Sequence, residues 1–214
     1  MFYSLTIMYV IISFGNRRSI LRNYKAPPAG FFSRDAVIVA PDLIDCLLRR
    51  RVGGGFISGV IVETEAYTQD DSASHSFRGP TLRNRFMFER GGLAYVYLIY
   101  GVHNCFNVTT GVPGSGEAVL IRAAQPLEGI ELMQANRGKE KLMNLCSGPG
   151  KLSEAFGIDR NHNGISLEGG EIQVLVHAGD SRPDVSVSKR VGISRGADLR
   201  RRFTLKESGW VSRR

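Results

Sequence analysis

Leu93-Ala94-Tyr95-Val96-Tyr97-Leu98-Ile99-Tyr100 is the stretch on which the fold turns. Tyr95, Tyr97 and Ile99 alternate with Val96, Leu98 and Tyr100, the period of a pleated strand. Ser58 to Ala66 reads as a second strand, and Cys105–Thr109 and Ala118–Ala123 as two short ones. Gly111 to Gly116, between the last two, is a hairpin-like turn. Ile172–His177 and Phe203–Leu205 supply late strands. Helices are expected over Asp42–Arg51, where Leu43, Ile44, Leu47 and Leu48 share a face, and over Pro126–Gln134 with proline in its first turn. A third is expected over Ser147–Phe156, with Ser147 as N-cap. Gly53-Gly54-Gly55 should close the first of these. Strands in hairpin-like succession with irregularly placed helices make an α+β domain with a mixed, largely antiparallel sheet.

A chain of 214 residues is one domain by default. The turn signal Ala26-Pro27-Pro28-Ala29-Gly30 separates residues 1–30, read as an extension outside the fold, from a globular part over 31–212. The apolar run Met1–Ser13 is too short to span a bilayer and lacks the basic start of a signal peptide, so it reads as an upstream start or dispensable extension. The net charge of +8 suggests a polyanionic partner. Residues 182–214 hold ten Lys/Arg against three Asp/Glu, whereas the first 181 residues nearly cancel, with 18 basic and 17 acidic groups. Cys46, Cys105 and Cys146 are odd in number and far apart, which argues against a disulfide framework and fits a reducing, cytoplasmic setting. The four histidines show no metal-ligand spacing, so no metal is expected.

The chemistry-bearing segment is Val62-Glu63-Thr64-Glu65-Ala66-Tyr67. Two carboxylates two apart on a strand point to one face. Burial there should raise the pKa of one of them, a setting for general base work. Two surface carboxylates on a strand edge are the plainer alternative. His75 lies in a polar stretch, and Arg83-Asn84-Arg85 follows. Three tyrosines in six residues exceed what a core needs, because each buried hydroxyl wants a partner. They read either as cross-strand packing or as a stacking platform with a wedge at its rim.

Glu63-Thr64-Glu65-Ala66-Tyr67, Ala73-Ser74-His75-Ser76, Arg83-Asn84-Arg85, Tyr95 to Gly101 with Asn107, Val119 to Ala123, Leu145 to Leu152, Arg190-Val191-Gly192 and Gly209 to Ser212 together resemble the alkyladenine (3-methyladenine) DNA glycosylase family, in order from about Phe31 to Ser212. The resemblance implies a curved antiparallel sheet like the C-terminal domain of formyltransferases, no metal, no cofactor and no lyase activity. It implies that Glu65 is the general base, with Arg122 and the Val191 carbonyl around the attacking water. Tyr67, His75 and Tyr97 would stack on a flipped base, Asn107 would disfavour the 2-amino group of guanine, and Tyr100 would fill the vacated stack. Lys151, Arg83 and the basic C-terminal segment would hold the DNA backbone. Stacking between Tyr67 and Tyr97 is expected to favour a cationic base. The implied partner is duplex DNA carrying alkylated or deaminated purines (3-methyladenine, 7-methylguanine, hypoxanthine), with no membrane and a monomer as the default. The implied place is the cytoplasm at the nucleoid, or the nucleus in a eukaryote. Two rival classes are a noncatalytic nucleic-acid-binding domain and an N-ribosyl hydrolase of free nucleosides.

Overall fold

A computed structural model of the chain describes residue 21, residues 23–179 and residues 182–212. The apolar run Met1–Ser13 lies outside the described residues. Nine strands are described, in one sheet: β1 (Tyr24–Lys25), β2 (Leu47–Val52), β3 (Gly55–Tyr67), β4 (Ala94–Ile99), β5 (His103–Thr110), β6 (Glu117–Glu128), β7 (Ile172–His177), β8 (Val185–Ser188) and β9 (Arg202–Leu205). Their spatial order is β1-β7-β2-β3-β6-β5-β4, with β9 on β3 and β8 on β9. Every described pairing is antiparallel. The expected α+β class holds. The sheet also begins earlier than Phe31: Tyr24 and Lys25 pair with His177 and Val176.

Helices α1 (Ala36–Asp42), α2 (Ile130–Asn136) and α3 (Pro149–Phe156) complete the domain. α1 packs on β3 and β6, α3 packs on β5 and β6, and α2 packs on α3. The core between helices and sheet follows from strand alternation. Ala66, Ala94, Val96, Phe106, Val108, Val119 and Ile121 point into the main core beside Leu152, Ala155 and Phe156 of α3. Their neighbours one residue away, Tyr95, Tyr97, Glu65, Tyr67, Asn107 and Arg122, therefore belong to the opposite face.

Three expected boundaries move. Residues 42–51 are not one helix: α1 ends at Asp42, Asp45 adopts φ 70°, and β2 starts at Leu47. Side-chain Asp35 opens α1 by accepting from Val37 N–H at 2.6 Å. Leu47 and Leu48 do not share a helical face but sit on the two faces of a central strand. Leu48 lies in the main core and Leu47 in a second cluster with Val60 and Leu127. The three glycines 53–55 lie at the β2–β3 turn instead of ending a helix. Pro126 lies within β6, opposite Gly59 and next to a register shift. A proline cannot donate to the ladder, so it is tolerated at such an irregularity. Gly129, at φ 69°, then turns the chain into α2. Ser147 is not the N-cap of α3; Gly148 holds that position and Pro149 follows in the first turn.

Candidate active site

β3 is longer than its neighbours and changes partner along its length. Its first half pairs with β2, and at Glu63–Glu65 that edge is taken by β9. Register shifts on the β6 side fall at Ile61–Thr64. One row then crosses the sheet: Tyr95 opposite Asn107, Asn107 opposite Leu120, Leu120 opposite Glu65, and Glu65 opposite Arg202. A β-ladder thus brings together residues that lie more than 100 positions apart in the chain.

Glu63 and Glu65 share a face, as their spacing requires, and both are fully buried. Glu65 Oε2 accepts from the Tyr67 hydroxyl at 2.9 Å and from Arg122 Nη1 at 3.3 Å. Glu65 Oε1 accepts from the Val191 N–H at 2.8 Å. The resemblance gave Val191 a role through its carbonyl; the contact seen here runs through its amide. Glu63 Oε1 accepts from Arg122 Nε at 2.9 Å, Arg202 Nε at 2.8 Å and Ser212 Oγ at 2.9 Å, and its Oε2 from Ser212 N–H at 2.6 Å. Burial alone would raise the Glu63 pKa, but the Ser212 amide and the two guanidiniums outweigh it and hold the carboxyl below its ordinary value. The expected upward shift is therefore not what Glu63 shows. Burial opposes the charge of Arg122 as well, and Glu65 and Glu63 more than restore it. Burial and then the adjacent Glu65 push the Tyr67 hydroxyl well above its usual range, so Tyr67 remains a donor to that carboxylate.

Beside this cluster lies a cavity of about 150 Å³ lined by Tyr67, His75, Tyr95, Tyr97, Asn107 and Ile193, among others. His75 meets Tyr97 edge-on, with ring centroids 4.5 Å apart, and its Nδ1 lies 2.8 Å from the Tyr95 hydroxyl. Burial and then Arg83 lower the His75 pKa to about 4, so the ring is neutral near pH 7. Burial, with Cys105 beside it, also pushes up the Tyr97 hydroxyl. Asn107 is pinned by bonds from Nδ2 to the carbonyls of Tyr95, at 2.9 Å, and Cys105, at 3.3 Å.

Tyr100 is not in the cavity. It stands at the tip of the β4–β5 hairpin, 83% exposed. The Val102 N–H bonds the Ile99 carbonyl at 3.2 Å, and both residues between them have positive φ, 52° at Tyr100 and 72° at Gly101. Glycine accepts that conformation freely, whereas for tyrosine it costs on the order of 1–2 kcal/mol. Lys151 is exposed in the first turn of α3, and its neighbour Gly150 backs onto His103 at the foot of the same hairpin. Arg83 lies outside the cavity, its guanidinium 5.4 Å from the Tyr97 ring centroid.

The sequence reading missed how the basic C-terminal segment is used. Arg190 bonds Asp71 in a pair whose side chains are both fully buried. It also donates to the carbonyls of Ala66, at 3.0 Å, and Gly196, at 3.2 Å, and lies 4.5 Å from the Tyr67 ring centroid. Arg202 bonds Glu63, and Arg201 lies 3.5 Å from Asp71. Three of the segment's ten cations, Arg190, Arg201 and Arg202, thus pair with acids at the site. The only hint in the sequence was that Arg190 directly precedes Val191 in an otherwise plain triplet.

The profile of the methylpurine-DNA glycosylase (MPG) family matches residues 30–209. The chain belongs to the methylpurine-DNA glycosylase family. It is 52% identical over 190 residues to a protein of Methanoculleus marisnigri, covering 87% of this chain and 98% of that one. A protein of Carboxydothermus hydrogenoformans is 46% identical over 188 residues, covering 87% and 98%. One of Rhodopseudomonas palustris is 47% identical over 182 residues, covering 85% and 88%. All three are provisionally named 3-methyladenine DNA glycosylase. Among the described residues of this glycosylase, no helix is long and apolar enough to cross a membrane.

Proposed function

We propose that this protein is a monofunctional DNA glycosylase of base excision repair. It flips an alkylated or deaminated purine from duplex DNA and hydrolyses its N-glycosidic bond, leaving an abasic site. The observation that carries the reading is the buried Glu65 carboxylate, held by Tyr67, Arg122 and Val191 at the edge of an aromatic-walled cavity.

Breaking an N-glycosidic bond passes through a transition state with positive charge on the sugar, as in glycoside hydrolysis. A fixed carboxylate both stabilises that charge and takes a proton from water. The two oxygens of Glu65 are not equivalent. Oε2 already accepts two hydrogen bonds, whereas Oε1 accepts one and keeps a lone pair for the water. In this reading the Val191 carbonyl shares that water, and the Val191 N–H at Oε1 brings the residue to the same carboxylate. Arg122 fixes Oε2 while the water is oriented. Water, activated by Glu65, is the attacking group in this reading, which is what makes the enzyme monofunctional.

Tyr67, His75 and Tyr97 offer ring surfaces to the flipped base, and Asn107, which lines the same cavity, disfavours a 2-amino group there. Tyr100, exposed at a hairpin tip, fills the gap in the stack and offsets part of a flipping cost of a few kcal/mol. A tyrosine held at positive φ where glycine would be relaxed supports a functional demand on that position. Lys151 and Arg83 contact the backbone near the lesion.

The test is strand cleavage by alkali after incubation with duplexes carrying one 3-methyladenine analogue, 7-methylguanine or hypoxanthine, run beside the matching free nucleosides. Breaks at the lesion with no release from nucleosides are expected. Release from free nucleosides alone would turn the reading into an N-ribosyl hydrolase, and no release from either into a binding domain.

A further inference from the structure

Two of the cavity's aromatic walls, Tyr67 and Tyr97, carry a guanidinium, and within the protein only the one on Tyr67 is compensated. Arg190 stacks on Tyr67 but is paired with buried Asp71. The other acids at the site are matched in the same way, Glu63 and Glu65 by Arg122 and Arg202. Arg83 differs. It is exposed, and its described contacts are the Tyr97 ring at 5.4 Å and the Leu98 carbonyl at 3.3 Å, neither of them anionic.

Its position relative to the cavity is also defined. Tyr97 lines both the base cavity and a neighbouring groove of about 400 Å³, and Arg83 lines only the groove, with Arg160 beyond it. For a base stacked on the cavity side of Tyr97, the ring stands between that base and Arg83. A cation on one side of an aromatic ring draws on the ring's negative face and weakens what the other side can offer a second cation. Through-space repulsion acts in the same direction. The neutral His75 ring adds no counter-charge.

We propose that Arg83 is a specificity-determining residue that biases the cavity against cationic purines and in favour of neutral ones. This reverses, for Tyr97, the preference that stacking alone gives, and it rests on the glycosylase reading above. A base stacked on the far side of Tyr97 lies roughly 10 Å from Arg83, adding a ring spacing of about 4.5 Å to the 5.4 Å observed. At that distance, effective dielectric constants between 80 and 20 give a discrimination of about 2-fold to 15-fold.

The experiment measures single-turnover excision of 7-methylguanine, which carries a fixed positive charge, and of hypoxanthine, which is neutral, in one duplex context. Wild type, Arg83→Gln and Arg83→Lys are compared. A lost phosphate contact lowers both rates together and cancels in their ratio. The 7-methylguanine to hypoxanthine ratio rises about 2-fold to 15-fold in Arg83→Gln. It stays within about 2-fold of wild type in Arg83→Lys, which keeps the charge. A ratio unchanged in Arg83→Gln, or lowered, overturns the proposal and leaves Arg83 a backbone contact only. Absence of excision of both lesions by the wild type would instead sink the glycosylase reading.

Discussion

Asp71→Asn tests how the loop between β8 and β9, which carries Arg190 and Val191, is held. Asp71 and its partner Arg190 are 119 positions apart in the chain, and both side chains are fully buried. The same carboxylate accepts from the Ala73 N–H at 2.9 Å and has Arg201 at 3.5 Å. Asparagine keeps the shape and one acceptor but removes the charge, leaving the Arg190 guanidinium buried without its anion. Breaking a buried pair from one side costs about 3–5 kcal/mol. In a domain of this size each kcal/mol moves Tm by about 2–4 °C, so the variant should melt roughly 6–20 °C below wild type. The loss should persist at high salt, because buried pairs are poorly screened. Arg190 also sets the place of the next residue, whose N–H bonds Glu65. Excision should therefore slow at temperatures where the variant is still folded. Thermal melts at low and high salt, with single-turnover excision well below the transition, give both numbers. Asp198→Asn, which breaks the exposed pair with Lys189, is the control and should leave Tm unchanged. A fall in Tm of less than about 2 °C in Asp71→Asn would refute the claim that this pair fastens the loop.

Tyr100→Gly should leave Tm unchanged or slightly raised, because glycine relaxes the positive φ, while base flipping weakens. Thermal melts and 2-aminopurine fluorescence beside a lesion measure the two, and a variant that flips normally removes the wedge role. His75 should titrate near pH 4 by NMR. Because an unfolded histidine titrates near 6.5 and the folded one lower, the unfolded chain binds more protons between those values. The His75 contribution to stability is thus complete above about pH 6.5 and is lost as pH falls toward 4, as urea melts at stepped pH should show against His75→Asn.

The strands that carry the site were legible because their alternation is strict. Residues 93–100 announced β4, and the carboxylate pair 63/65 announced a shared face on β3. Glu65, Tyr67, His75, Tyr97 and Asn107 do converge on one side of the sheet. Helical and strand patterns compete where a short apolar run is buried on both sides, and Leu47-Leu48, buried in two different clusters, is such a run. Ion pairs across 119 or 139 positions, Arg190 with Asp71 and Arg202 with Glu63, leave no periodic trace in a single sequence. Net charge was legible, but which of the arginines are consumed internally was not. Positive φ at Tyr100 was equally hidden, since tyrosine is not a residue that signals such a turn.

The most direct test is Glu65→Gln, assayed for both affinity and chemistry on one lesion-containing duplex. Glutamine fills the same space but cannot accept the proton from water or balance charge on the sugar. Binding should stay within about 3-fold of wild type while excision falls at least about 100-fold. Excision at a near-wild-type rate by that variant would contradict the account, because the base would then have to be some other group.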